Sequence, residues 1–297
     1  MSGEFRAGGT DLCERRRSGV SHGAIVDLER SEETTAIAWN ADGTARIGAL
    51  VTVATIADDA RIGQAYPGLA AAAAGLATPE IRSVGTIGGN LAQRSRCWYY
   101  RNPHTSCLKK GAPLCPARSG NHLYGVVFDL GPCVAPHPST LGAALLAYDA
   151  VVRTDRRTLP IADLFGDGAD GTVDNRLGAG ERIVTVAMGE PLPQERAVYR
   201  RAICRAYAEW PLVEIVVRAV IAEHRFAFIR IAAGGVAPVP LRLPAAEAAL
   251  EGKATDPAAL RLAAALAMAG SKALPQTGYK LQLLEELLID VLERVAG

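Results

Sequence analysis

The sequence is short of net charge, aromatic residues and long apolar runs, and each shortage removes a class of function. Its 32 basic and 31 acidic residues leave a formal charge of +1, so no summed field draws it to nucleic acid, and no polybasic tract marks a membrane surface. Only 5% of residues are aromatic, which disfavours a base-stacking surface. No apolar stretch approaches the roughly 20 residues that cross a bilayer, so no membrane span is expected. The opening Met1-Ser2-Gly3-Glu4-Phe5-Arg6 lacks the apolar core of an export signal. A cytoplasmic location is expected unless a partner carries the signal for a complex. There is no G-x-G-x-x-G, which argues against a Rossmann-type nucleotide domain. There is no C-x2-C pair of the kind usual in structural zinc sites and bacterial ferredoxins. No Ser–His–Asp or metallohydrolase arrangement stands out, and no catalytic residue is assigned.

What the chain does have is apolar content, glycine pairs and clustered cysteine. At 297 residues with 49% hydrophobic content it makes one large domain or two ordinary ones. Six cysteines in a reducing compartment do not read as three disulfides. Cys13 and Cys204 stand apart and read as small buried or half-buried residues. The other four, Cys97, Cys107, Cys115 and Cys133, share a window without periodicity, filled with Pro, Gly, Asn, Ser and Arg. A structureless insertion of this length is uncommon unless function or a metal orders it. Gathered thiolates suit iron–sulfur ligation, with zinc or free thiols as the alternatives the spacing leaves open. Arg94, Arg96, Arg101, Lys109 and Lys110 either offset the negative charge of a cluster or form a solvated face. His104, His122 and His137 read as surface groups or supports of the ligands.

Two segments pair glycines with small polar residues: Ala7-Gly8-Gly9-Thr10-Asp11 and Thr86-Ile87-Gly88-Gly89-Asn90. Glycine lets backbone approach a ligand and take positive φ, and consecutive amides then converge on an anion. Two such turns suit the two halves of one pyrophosphate; the plainer reading is that each is an ordinary turn. Gly234-Gly235 is read as a plain turn. Around these segments strands alternate with short helices. Residues 24–28 read as a buried strand and 46–51 as another, with Thr52 capping the helix that follows. Residues 66–76 read as an alanine-rich helix ended by Pro79. Residues 141–152 read as a helix and a strand. The glycine- and aspartate-rich 166–171 is the linker candidate. Beyond it, 183–188, 212–221 and 226–233 read as strands or a helix-plus-strand unit, and Leu284, Leu287, Leu288, Val291, Leu292 and Val295 mark a closing amphipathic helix.

The first glycine turn, the stretch from Ile81 through Asn90 to Leu91, the segment Cys133-Val134-Ala135-Pro136-His137-Pro138-Ser139 and Ala233-Gly234-Gly235-Val236-Ala237-Pro238 together resemble one family over nearly the whole chain. It is the FAD-binding medium subunit of the molybdenum hydroxylases, which include xanthine dehydrogenase, carbon monoxide dehydrogenase and aldehyde oxidoreductase. The resemblance implies an α+β fold. A vanillyl-alcohol-oxidase-type (PCMH-like) FAD-binding domain would span 1–170, and a small α+β domain 171–297. Both glycine turns would hold the FAD pyrophosphate, with Ser139, Thr140, Ile183 and Arg201 as further cofactor contacts. The cysteine window resembles that of the 4-hydroxybenzoyl-CoA reductase and periplasmic aldehyde oxidoreductase branches, whose flavin subunits carry an extra 4Fe-4S cluster. The partners implied are a molybdopterin-binding large subunit and a 2Fe-2S small subunit in a heterotrimer. The external electron donor or acceptor would be NAD, ferredoxin, a quinone or oxygen. Rival readings are a self-contained flavin oxidase and a zinc-stapled assembly module without flavin. Three departures stand out. The family usually has some dozens of residues before the first turn, here at 7–11, which implies a shortened N-terminus. Thr140 stands where Asp is frequent, and Arg201 where Lys is frequent.

Overall fold

Three sheets organise the computed structural model, which describes residues 3–205 and 208–297. Strands β1 (Glu4–Arg6) and β2 (Ile25–Asp27) pair in parallel as a two-stranded sheet. Strands β3 (Ile37–Trp39), β4 (Ala45–Gly48), β5 (Val151–Thr154), β6 (Thr158–Pro160) and β7 (Ile183–Ala187) form a second sheet in the order β3-β4-β7-β5-β6. Strands β8 (Arg196–Ala202), β9 (Val213–Ala222), β10 (Arg225–Gly234) and β11 (Leu241–Arg242) form a third, in the order β11-β10-β9-β8. The neighbours in the two larger sheets are antiparallel. Each of these two sheets has its own buried apolar cluster, so the chain is a mixed α/β protein of two units.

The helix Thr140–Ala147 joins them. All eight of its residues are buried, because it packs on Pro67–Gly75 of the first unit and on β9 and β10 of the second. The C-terminal helix Tyr279–Ala296 buries Leu284, Leu288, Val291, Leu292 and Val295 at helical spacing against β8 and β9. Each such side chain contributes about 1.5–3 kcal/mol on burial. A buried pair also fixes the units against each other: Arg218 on β9 meets Glu195 at 2.5 Å, with both side chains under a tenth exposed. Tyr148 donates its hydroxyl to Glu195 at 2.7 Å and accepts from the Gly68 amide at 2.9 Å. Breaking a buried pair from one side costs about 3–5 kcal/mol.

Several local expectations need correction. The β2 strand is exposed along its length, because among the described residues it pairs only with β1 and nothing else covers it. The alanine-rich helix stops at Gly75, and Pro79 opens the next helix, Pro79–Val84, whose cap is Thr78; a proline at the first helical position gives up no needed donor. The 166–171 stretch is a loop inside the first unit, because β7 beyond it is the central strand of the five-stranded sheet. The topology thus divides the chain between Ala187 and Arg196 and not at 170. Cys13 and Cys204 are exposed. Thr52 does cap Val53–Asp58, accepting from the Thr55 amide at 3.1 Å.

Candidate functional site

The two glycine turns face each other across one cleft, and they contribute in different ways. After β1 the chain turns through 7–11 into the helix Leu12–Arg17. Gly9 takes φ +75°, where a Cβ would lie 2.9 Å from the Cys13 Sγ, and a Cβ on Gly8 would fall on the carbonyl oxygen of Val84. No amide from residues 7–12 donates to a protein acceptor among the described residues. This turn therefore presents unspent N–H groups, which suit an anion. The second turn is helical, and its donors are spent. Ile87 and Gly88 donate to the carbonyls of Val51 and Ala49 at 3.0 and 2.9 Å, and Asn90 to that of Thr86 at 2.8 Å. Thr86 caps the helix Ile87–Leu91 by accepting from the Gly89 amide at 3.1 Å. What this turn offers is a missing side chain, since a Cβ on Gly89 would have Thr86 Oγ1 at 3.0 Å as its nearest neighbour and point into the cleft.

The cleft has two lobes that share Thr10, Asp11, Thr86, Gly89 and Gln93 as walls. The larger, about 290 Å³, runs toward the second unit past Asn90, Thr140, Arg201 and Trp210. The smaller, about 120 Å³, holds Ala7, Gly8, Gly9 and Gly88 with Phe5, Leu28 and Ile183. Ile87 lines neither lobe; it is fully buried in the core. Ser139 lies beneath the surface, where it caps Thr140–Ala147 and donates to Asn90 Oδ1 at 2.7 Å.

Glu214, which motif reasoning passed over, sits behind the larger lobe. It is 1% exposed and faces Arg201 across the β8–β9 register. One carboxylate oxygen accepts from the Thr140 hydroxyl at 2.8 Å and from the Tyr199 hydroxyl at 2.9 Å. Burial pushes its pKa up to about 7 against those two hydrogen bonds and Arg201. The only signal in the sequence is an acid inside the apolar run Val213-Glu214-Ile215-Val216-Val217. The folded state then holds a proton that the unfolded chain, near 4.5, has lost, so this group subtracts stability as pH rises from 4.5 through 7. Glu214→Gln is expected to remove that slope and to gain roughly 3 kcal/mol relative to the parent at pH 8 compared with pH 4.5. Denaturant unfolding at the two pH values measures it; parallel profiles for the two proteins would contradict the assignment.

The four clustered cysteines line one small cavity together with Tyr99, Tyr100, Leu108 and Pro116. Cys107 and Cys133 are buried, Cys97 and Cys115 half-buried, and all are free thiols. Among the described residues no three Cys, His, Asp or Glu side chains converge as a single metal ion would need. The cavity is about 20 Å³, and its four thiols, with no carboxylate among its lining residues, are soft donors. Cys133 and Cys115 share a hydrogen bond that pulls the Cys115 thiol down and pushes Cys133 up. The nearby cations are spent on carboxylates: Arg94 and Lys109 pair with Asp174 at 2.5 and 2.9 Å. Arg96 and Arg101 reach Asp11 at 3.1 and 2.7 Å and also pair with Glu14. Lys110 donates to the carbonyls of Tyr99 and Asn102. They form neither a free cationic collar nor a plain solvated face. His122 and His137 are buried on backbone carbonyls, His104 is exposed, and none lines the cysteine cavity.

Asp11 links the two regions. One oxygen meets Arg96 and Arg101; the other accepts from Arg15 at 3.0 Å and from the Arg94 amide at 3.2 Å. Burial raises its pKa, but the surrounding guanidiniums outweigh burial and hold it below the usual carboxylate range.

Residues 3–188 match the family described as the FAD binding domain in molybdopterin dehydrogenase, and 197–295 match the CO dehydrogenase flavoprotein C-terminal domain. The chain is 31% identical over 261 residues to the aldehyde oxidoreductase FAD-binding subunit PaoB of Escherichia coli (strain K12), covering 83% of this chain and 79% of that one. It is 37% identical over 86 residues to a xanthine dehydrogenase FAD-binding subunit of Escherichia coli O157:H7, covering 29% of this chain and 30% of the other. The fold is similar to carbon monoxide dehydrogenase from Hydrogenophaga pseudoflava, with TM-score 0.76 and 23% identity over 99% of this chain and 89% of that one. It is likewise similar to quinoline 2-oxidoreductase from Pseudomonas putida 86, with TM-score 0.75 and 20% identity over 98% and 88% of the two chains.

Proposed function

Because this chain belongs to the family of FAD-binding subunits of the molybdenum hydroxylases, we propose that it carries electrons between a 2Fe-2S partner subunit and an external donor or acceptor. The observation that carries this reading is the two-lobed cleft whose lobes meet where one glycine turn has unspent amides and the other has no side chain. An extended dinucleotide with a central pyrophosphate fits that shape. The amides of residues 7–11 and the Thr10 hydroxyl would hold the pyrophosphate, and Gly89 would permit its approach. Phe5, Leu28 and Ile183 would flank one end; Thr140, Arg201 and Trp210 would flank the other. When bound, FAD supplies a ring able to take up and release electrons singly or in pairs.

Cys97, Cys107, Cys115 and Cys133 would hold a 4Fe-4S cluster, a reading supported by their shared cavity and all-thiol donor set. Organic chemistry would take place on a molybdopterin-binding large subunit, as membership of this family of FAD-binding subunits suggests. The uncovered Ile25 and Val26 on β2 support coverage by a partner in a heterotrimer. No helix among the described residues is long and apolar enough to cross a membrane.

Native purification tests the whole reading. One FAD per chain, a yellow-brown spectrum and co-migration with molybdenum and 2Fe-2S subunits on size exclusion are expected. A lone monomer that turns over an organic substrate with oxygen would establish the flavin-oxidase alternative, and a colourless zinc protein the assembly-module alternative.

A further inference from the structure

A third cavity, about 400 Å³, lies between the flavin cleft and the cysteine loop, within the size range of small-molecule sites. It shares Arg96, Glu209, Trp210 and Pro211 with the larger lobe of the cleft, and Cys97 with the cysteine cavity. Its mouth carries Trp98, Tyr124 and Trp210, all exposed although aromatic, at 51%, 41% and 52%. Trp98 and Tyr124 lie 5.6 Å apart, and Arg96 lies over Trp210 at 4.5 Å.

At its base is Lys280, 1% exposed. The ammonium donates to the carbonyls of Gly235 at 2.9 Å and Tyr124 at 3.2 Å, and no carboxylate among the described residues pairs with it. An ammonium has three donors, so one remains for whatever occupies the cavity. Burying a lysine without a counter-charge is costly, and burial pushes its pKa down to about 7. Two of its donors hold backbone carbonyls together; the third, on a side chain that lines the cavity, is the one that points to a ligand.

We propose that this cavity binds a planar, apolar carbonyl compound of the quinone class, its ring between the aromatic residues of the mouth and a carbonyl oxygen on Lys280. Other acceptors fit less well. A dinucleotide needs a pyrophosphate site, whereas here Arg96 is already paired with Asp11 and Glu14, and the Glu209 carboxylate lies beside Arg205, accepting from its amide at 3.1 Å. Oxygen needs no aromatic clamp, and a protein carrier does not enter a cavity. The proposal rests on the electron-transfer reading for its role and deepens it by naming the acceptor class. In that role the compound gains two electrons and two protons to become its hydroquinone. The electrons are those that the complex withdraws when water and an organic substrate become hydroxylated product, and the same half-reaction releases the two protons.

Equilibrium dialysis of 2-methyl-1,4-naphthoquinone against the oxidised native complex tests it. Saturable binding of one equivalent per chain is expected, weakened at least tenfold in Lys280→Met and in Trp98→Leu, with FAD and iron content unchanged in both. Lys280→Met removes a buried charge but also two hydrogen bonds to backbone carbonyls, whereas Trp98 is half exposed; unchanged far-UV circular dichroism in both variants confirms that the fold is kept. Undiminished binding in both variants, or no saturable binding to the wild type, overturns the proposal. A complex without FAD and iron would instead fail the electron-transfer reading, while dialysis still reports whether the cavity binds the probe.

Discussion

Replacing any one of Cys97, Cys107, Cys115 or Cys133 with serine is expected to leave the protein without the iron and acid-labile sulfide of the proposed cluster. All four thiols line one cavity, and a hydroxyl is a poor ligand for a soft centre, so each loss should be near complete. The loop's own apolar cluster is small, with Ala117, Val126 and Val134 as its buried members. Ligation should therefore supply much of the loop's order, and each variant should become sensitive to protease between 97 and 133. Cys13→Ser and Cys204→Ser should leave the iron in place, because both residues are exposed and neither lines that cavity. Iron and sulfide assays with low-temperature EPR of the reduced protein decide the matter. Stoichiometric zinc without iron in anaerobically purified protein would sink the idea.

The second large effect is expected at Gly89. A valine there replaces a glycine inside a helix, which local propensity tolerates, and its methyl groups enter the space where the two lobes meet. FAD content should fall below a tenth of the wild type, with far-UV circular dichroism and the melting temperature of the flavin-free protein unchanged. Gly8→Val should also lose flavin, but less cleanly, because its side chain would collide with the Val84 backbone and disturb the turn itself. FAD released by heat and counted per chain is the measurement. Normal flavin in Gly89→Val would remove the pyrophosphate from this turn.

Much of this arrangement was legible in the sequence because glycine pairs and clustered cysteines carry chemistry in their identities. The cleft's position followed from the two turns, and the closing helix from leucine spacing. The different use of the two turns was not legible. Whether an amide is free depends on carbonyls as distant as Val51 and Ala49, which composition does not reveal. Glu214 and Lys280 were missed for a related reason: each is one polar residue in an apolar context, and only tertiary packing decides whether it is buried. The boundary at 170 misled because a Gly- and Asp-rich loop resembles a linker, whereas β7 returns beyond it to the centre of the first sheet.

The carboxylate of Asp11 has a thermodynamic consequence. It belongs to the turn that would receive the flavin pyrophosphate, and it also clamps Arg94, Arg96 and Arg101 at the root of the cysteine loop. Whatever occupancy of the cleft does to the position of that carboxylate is felt by the loop, and the converse holds with equal strength, since coupling between two binding equilibria is reciprocal. Were the proposed flavin and cluster to occupy these two sites, binding of each would change the affinity for the other by the same factor, so a protein depleted of one group should hold the other with altered affinity.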